Sequence, residues 1–184
     1  MRGWFERLIA GRRSAAARAR RESFTAEELR TRLGYDVAAM IANGHDAAIV
    51  GEQVAFNANV DRFVDHPVFG RYLRSHLPAE AYETSGVWVL AIKDVAAEIR
   101  ELEPGTTLLS IGYFPIARSN AGNLICFEAA SNRVWWASHE LLSDDDPTSG
   151  LTPVADELWA FVRALDADLL TDRLAALDRG GSSS

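Results

Sequence analysis

The chain has 184 residues, 48% of them hydrophobic and 24% charged, and a net charge of −7, as is usual for one globular domain with a sizeable core. The single cysteine, Cys126, excludes an internal disulfide and a multi-cysteine metal site, and it is compatible with a reducing cytoplasm. The acidic balance argues against nucleic-acid binding. The longest apolar runs are short, such as residues 87–92, so we expect no helix that spans a bilayer. We therefore expect a cytoplasmic protein.

Residues 1–22 differ in charge from the rest of the chain. They hold seven Arg against Glu6 and Glu22, so this segment is basic while the remainder is strongly acidic. As a helix, the segment would carry on one side Trp4, Phe5, Leu8 and Ile9. Three interpretations stay open: a frayed or partly docked terminal helix, a helix that binds a membrane surface or a partner, and an organelle-targeting peptide.

Residues 25–77 are predicted to be helical. Thr25 and Glu28 form a T-x-x-E capping box that starts a first helix, which continues to a stop at Asn43-Gly44. Its predicted buried stripe is Leu29, Leu33, Val37, Met40 and Ile41. A second helix is predicted from Asp46 to about residue 64, and residues 68–77 form a short third helix or an irregular turn. The predicted buried face of the second helix is Ile49, Phe56, Val60 and Phe63.

Residues 86–138 are rich in strand signals. The sequence GVWVLAIK predicts a strand buried on both faces, and Asp94 is expected to cap a short helix that follows it. Strands are then predicted over residues 108–112, 123–129 and 133–138, with turns at residues 119–123 and 131–132. The short link between the last two strands requires an antiparallel hairpin.

The C-terminal part, residues 153–178, is predicted to return to helix. Thr152 precedes Pro153 as an N-cap precedes a first-turn proline. One helical stripe is predicted to contain Val154, Leu158, Phe161, Val162, Leu165, Leu169, Leu170, Leu174 and Leu177. With residues 179–184 as a disordered tail, residues 23–178 form one α+β domain. Its mainly antiparallel sheet of about four to six strands has helices packed at the N- and C-terminal ends.

Several motifs between residues 108 and 140 follow one another in a distinctive order. They are Ile111-Gly112, a Gly/Asn turn at residues 120–123, an apolar strand ending in Glu128, a Val-Trp-Trp run at residues 134–136, and His139-Glu140. In this order they resemble the SUKH superfamily, which contains a yeast cell-wall synthesis regulator and many bacterial toxin-immunity proteins. The resemblance covers about residues 86–166, including Val154-Ala155, whereas residues 1–80 depart from the family pattern. It implies an α+β fold and a non-catalytic, protein-binding role.

One polar cluster invites a functional interpretation: His139, Glu140, Asp144, Asp145 and Asp146. Carboxylates suit Ca²⁺ or Mg²⁺ and His suits a transition metal, so a small metal-dependent enzyme is an alternative. However, the spacing matches no EF-hand loop, and the sequence has no nucleophile elbow and no phosphate-binding motif. We therefore expect no enzymatic activity and no cofactor, and we interpret the cluster as an acidic patch that attracts a basic protein partner.

Adjacent tryptophans precede this cluster. In a strand, Trp135 and Trp136 must point to opposite faces, so one of them is a candidate for exposure and for an interface anchor. Cys126, inside an apolar strand, is expected to be an inert core residue. The predicted function is occlusion of a basic toxin or effector by an acidic and aromatic surface. That surface comprises Trp135, Trp136, His139, Glu140, Asp144, Asp145 and Asp146. A membrane-associated regulator acting through residues 1–22 is a further alternative, and the sequence leaves the oligomeric state open.

Overall fold

An antiparallel sheet of six strands forms the centre of the computed structural model, which describes residues 20–142 and 145–181. Neighbours in the sheet are also neighbours in the chain: β1 (Tyr82–Thr84), β2 (Val87–Val89), β3 (Tyr113–Ser119), β4 (Leu124–Glu128), β5 (Val134–Ala137) and β6 (Leu151–Ala155). The helices are α1 (Ala26–Leu33), α2 (Val37–Ala42), α3 (Ala47–Val64), α4 (Phe69–Ser75), α5 (Ile92–Glu101), α6 (Gly105–Ser110), α7 (Leu158–Asp166) and α8 (Thr171–Gly181). The predicted α+β class, with helices at both ends of an antiparallel sheet, is confirmed.

Helix α1 begins as the capping box predicts. Thr25 Oγ1 accepts a hydrogen bond from the Glu28 backbone N–H at 3.1 Å, and the Glu28 carboxylate accepts one from the Thr25 N–H at 2.7 Å. These hydrogen bonds also lower the pKa of Glu28. Leu29 and Leu33 are buried, as predicted.

The predicted continuation of this helix to residue 43 is wrong, because α1 and α2 are separate helices. A Cβ atom at Gly34 would lie 2.7 Å from Asn57 Oδ1, so the chain approaches α3 more closely there than another residue allows. The Asn57 amide accepts from the Tyr35 N–H at 2.8 Å and donates to the Tyr35 carbonyl at 2.9 Å. Asp36 then caps α2, and Ile41, predicted to be buried, is 62% exposed.

Helix α3 confirms the predicted second helix but not all of its buried face. Val60 and Phe63 are buried, whereas Ile49 is exposed and Phe56 is half-buried. Only the C-terminal half of α3 contributes to the core. Of the two alternatives for residues 68–77, a short third helix and an irregular turn, the structure has the helix, as α4.

The strand predicted for residues 108–112 is wrong. These residues lie in α6 and the turn after it, and the strand is instead β3, which was not predicted. Leu108 and Leu109 are both buried, but in different hydrophobic clusters. A short, uninterrupted apolar run has no hydrophobic periodicity from which a buried helix could be distinguished from a buried strand.

The predicted start of the C-terminal helix at residue 153 is also wrong, because this helix, α7, begins at Leu158. Residues 151–155 form the edge strand β6, in which Pro153 lies opposite Trp135 of β5. An edge strand accommodates proline, because the missing N–H removes no hydrogen bond from the sheet interior. The predicted stripe is interrupted again at Asp168, which has a positive φ, and Leu169 is exposed. Residues 179–181, predicted to be part of a disordered tail, lie in α8, and residues 182–184 lie outside the described residues.

The sheet separates two hydrophobic clusters of different size. The main core lies between the sheet and the helices and contains a stacked pair, Phe69 and Phe127, whose ring centroids are 4.5 Å apart. The other face of the sheet carries what we call the second core, which consists of Leu108, Tyr113, Leu124, Cys126 and Ala137. Trp88 of β2, predicted to be buried, faces away from the main core and is 42% exposed.

Candidate protein-binding rim

The turn between β3 and β4, residues 119–123, is fixed at its base by buried polar side chains. Ser119 Oγ and Asn123 Nδ2 both donate to Asp178 Oδ1 of α8 at 2.8 Å. Asn123 Oδ1 in turn accepts a hydrogen bond from the His139 backbone N–H at 3.1 Å. Since Ser119 and Asn123 are buried, these hydrogen bonds hold the turn rigidly against β5 and α8.

Trp88 contacts this turn from one side. Its indole Nε1 donates to Asn120 Oδ1 at 3.0 Å, which fixes the orientation of a side chain that is nearly half exposed. Its cross-strand neighbours are Glu83 on β1 and Arg118 on β3. The sequence interpretation placed Trp88 in the core, although strict alternation with Val87 and Val89 was a signal that its side chain faces the other way.

His139 and Glu140 contact or adjoin the same turn from the other side. Both residues are exposed, and His139 Nδ1 lies 3.0 Å from Asn123 Oδ1. A Cβ atom at Gly122 would lie 3.8 Å from the His139 ring, so the ring stands beside the turn. His139 and Glu140 therefore lie close to the turn that Trp88 contacts.

Of the acidic residues after Glu140, the structure describes Asp145 and Asp146, which lie in the loop between β5 and β6. Asp145 and Asp146 are exposed, and Asp144 lies outside the described residues. Asp146 Oδ1 accepts hydrogen bonds from the Thr148 N–H at 3.0 Å and from the Thr148 hydroxyl at 2.7 Å, and these bonds lower the pKa of Asp146. Its carboxylate is thus charged at neutral pH and is also part of the loop structure.

This loop is attached to the second core. Leu142 packs against the second core, while the neighbouring Leu141 is exposed next to Glu140. Ser149 Oγ donates to the Leu141 carbonyl at 2.6 Å, and at Gly150 a Cβ atom would lie 2.8 Å from the Ser138 carbonyl oxygen. The first and the last residues of the loop are therefore held close together. We use the name acidic rim for the surface formed by Trp88, Asn120, His139, Glu140, Asp145 and Asp146.

Trp135 and Trp136 do point to opposite faces of the sheet, but neither belongs to the acidic rim. Trp136 is 2% exposed in the main core, so it offers no surface to a partner. Trp135 is half-buried beside the second core, and its Nε1 donates to Glu128 Oε2 at 2.9 Å. Glu128 ends β4 at the far side from the 119–123 turn. The described residues of the predicted site are thus divided among three places: the main core, the edge of the second core and the acidic rim.

A small polar cluster surrounds Glu128. Its carboxylate also accepts hydrogen bonds from the Tyr113 hydroxyl at 3.1 Å and from the Ser131 hydroxyl. Burial, together with the neighbouring Glu128 charge, raises the pKa of Tyr113 to about 12. Cys126, on the same face, is fully buried, and burial raises the pKa of its thiol, so it stays protonated as expected for a core cysteine.

Glu98 of α5 is a buried carboxylate that was not singled out in the sequence. It is 2% exposed, and its Oε2 lies 3.2 Å from Arg118 Nη1. Among the described residues, no donor contacts its other oxygen, Oε1. Burial raises the pKa of Glu98, and the attraction of Arg118 offsets only part of that effect.

In residues 20–142 and 145–181, no three His, Cys, Asp or Glu side chains come together in a group that could hold a metal ion. The helices of the same ranges include none with the length and hydrophobicity that crossing a membrane requires. The chain matches no protein-family model, and searches of curated proteins and of solved structures find no match to it either.

Proposed function

We propose that the protein is a non-catalytic, cytoplasmic binding domain of the SUKH type, an immunity protein that neutralises a basic toxin or effector by occlusion. The acidic rim carries this proposal. An exposed indole on one side of a rigid turn and exposed carboxylates on the other side provide an anchor and a steering charge on one surface.

Trp88 has the properties of an interface anchor. Tryptophan is among the residues most often found to dominate binding energy, because a single side chain buries a large area. The hydrogen bond to Asn120 already fixes the indole in the free protein. Binding therefore requires little additional ordering of this side chain, which favours affinity.

The charges of the rim favour a basic partner. Glu140 and Asp145 are exposed, and the chain as a whole carries a net charge of −7. Such a surface accelerates the encounter with a positively charged protein and repels acidic ones.

Part of the SUKH resemblance coincides with the rim. The Gly/Asn turn at residues 120–123 and the pair His139-Glu140 both contribute to it. Two other marks of the resemblance lie on unexpected elements. Ile111-Gly112 was expected to end a strand but follows a helix, and Val154-Ala155 was expected in a helix but ends β6. Of these four marks, only the first two contribute residues to the rim.

A growth assay tests the proposal directly. The chain is co-expressed with the product of a toxin-like gene adjacent to its own, and the dissociation constant of the pair is measured. We expect the wild-type chain to restore growth, and Trp88→Ala to weaken binding by about 30-fold or more, as for an interface hot spot. Leu169→Ala, at another exposed apolar side chain, is the matched control.

Failure of the wild-type chain to protect against any neighbouring gene product would contradict the immunity role. Binding that is equally tight in Trp88→Ala and Leu169→Ala would remove the rim from the proposal. The association rate should also fall steeply as salt is added, and this dependence should be weaker in Glu140→Gln/Asp145→Asn.

A further inference from the structure

A second surface, distant in sequence from the acidic rim, exposes an unusual amount of apolar side chain. We call it the helical hairpin: α2 and the first two turns of α3, residues 37–54. Within the described chain, α2 contributes no buried side chain, although its sequence is VAAMIA. Ile41, Ile49 and Val54 are all exposed, and Val37 and Met40 are only half-buried. Exposed apolar side chains concentrated in one short stretch of the chain are a candidate surface for another segment to cover.

Helix α2 is also too short to be stable through its own backbone hydrogen bonds. Isolated helices of this length are unstable in water, and most helices in proteins depend on packing of an apolar face. Each helix of the hairpin nevertheless has a well-formed N-cap: Asp36 Oδ1 accepts from the Ala39 N–H of α2 at 2.9 Å, and Asp46 Oδ1 accepts from the Ala48 N–H of α3 at 2.8 Å. A covering segment would supply the packing that α2 lacks.

The charge of the helical hairpin restricts what can cover it. Residues 33–61 contain four acidic residues and no Lys or Arg. Asp36, Asp46 and Glu52 are exposed on the hairpin itself. A second copy of this surface would bring like charges together, and an anionic membrane surface would be repelled. A segment that is apolar on one side and basic on the other fits both properties.

Residues 1–19 of the same chain have this composition. They carry five Arg against one acidic residue, Glu6, and their large apolar residues are spaced as on one side of a helix: Trp4, Phe5, Leu8 and Ile9. The chain enters the described fold at Arg20, whose carbonyl accepts from the Ala79 N–H at 2.7 Å. Residues 10–19, which separate this apolar group from Arg20, can extend by roughly 30 Å, a distance comparable with the dimensions of a domain of this size.

We propose that residues 1–19 dock on the helical hairpin of the same molecule, placing their apolar side against exposed apolar side chains that include Ile41, and their Arg residues near Asp36, Asp46 and Glu52. This inference is independent of the acidic rim and of the proposed immunity role. It assigns a role to the basic segment that requires neither a membrane nor a second protein.

Disulfide trapping in the full-length chain tests the docking. Leu8→Cys/Ile41→Cys is oxidised under mild conditions, and its intramolecular disulfide is expected to form at least about tenfold faster than in Leu8→Cys/Leu169→Cys, because docking raises the local concentration of the two thiols. Leu169 is the more exposed position and follows Asp166, which pairs with Arg21 at 3.2 Å. The tether alone therefore gives position 169 no disadvantage. Cys126 is buried and does not compete.

Charge variants separate docking from random encounter. Asp36→Asn/Asp46→Asn keeps both helix caps, because Asn is as good an N-cap as Asp, and it should slow trapping several-fold. Glu157→Gln/Asp172→Asn, which changes exposed acids elsewhere, should leave the rate unchanged. Equal rates at positions 41 and 169, a rate insensitive to Asp36→Asn/Asp46→Asn, or a covalent dimer in place of the internal disulfide would each overturn the proposal. Circular dichroism confirms that every variant is folded.

Discussion

The two faces of the sheet differ in how completely they are covered. On the inner face, helices enclose large aromatic side chains, and Trp136 is almost wholly buried among them. On the outer face, α6 and Leu142 of the β5–β6 loop cover only the small second core. Trp135, beside this core, is half-buried, and Trp88 is exposed. Three tryptophans of one sheet thus occupy three environments. We infer that the inner face stabilises the fold, whereas the outer face also has surface free for binding.

The largest effect is expected on the inner face. Replacement of Trp136 by Ala should lower the free energy of unfolding by about 3–5 kcal/mol, because a fully buried aromatic side chain leaves a large cavity. Urea unfolding followed by circular dichroism measures this loss. A change below about 1 kcal/mol would mean that Trp136 is not part of the main core, and the contrast between the faces would fail.

An intermediate effect is expected at Trp135. Trp135→Phe keeps the aromatic packing but removes the N–H that donates to Glu128, and should cost about 1–2 kcal/mol, since hydrogen bonds to charged groups are strong but this one is partly exposed to solvent. Glu128→Gln and the double variant complete a double-mutant cycle in urea unfolding. Strictly additive losses in this cycle would show that Trp135 and Glu128 do not interact.

Glu98 makes the stability of the protein depend on pH. Its folded-state pKa is raised above the ordinary value of 4.5, so the folded state binds this proton more tightly than the unfolded state. The resulting stabilisation is complete below pH 4.5 and is lost as the pH rises through the raised pKa. Glu98→Gln lacks this dependence, so the stability of the wild type relative to Glu98→Gln should fall as the pH rises through this window. A stability difference that is constant with pH in urea unfolding would contradict the assignment.

The sequence was informative wherever a local physical rule decides the structure. The Thr25–Glu28 capping box, the turn at residues 119–123, the β4–β5 hairpin and the opposite orientation of Trp135 and Trp136 follow from cap chemistry, turn chemistry and the period of a strand. Each of these rules involves residues close together in the chain.

Tertiary contacts decided the features that were predicted wrongly. Residues 108–112 are apolar enough for a strand, but residues 105–110 form a helix in which Leu108 and Leu109 are buried in two different clusters. The break at Gly34 depends on Asn57, which lies in another helix. The acidic rim was half predicted: His139 and Glu140 were identified from their motif, but Trp88 joins them through Asn120, a contact between distant parts of the chain.

The smallest effect on stability is expected at Trp88. Its indole is 42% exposed, and its Nε1 hydrogen bond to Asn120 is also exposed, so Trp88→Ala should change the free energy of unfolding by about 1 kcal/mol or less. The same variant should nonetheless lose most of its affinity for a partner, because an anchor acts through the area it buries in the complex. Unfolding and binding measurements on one preparation test both statements together. A loss of stability as large as that of Trp136→Ala would place Trp88 with the core tryptophans and remove the functional distinction between the two faces.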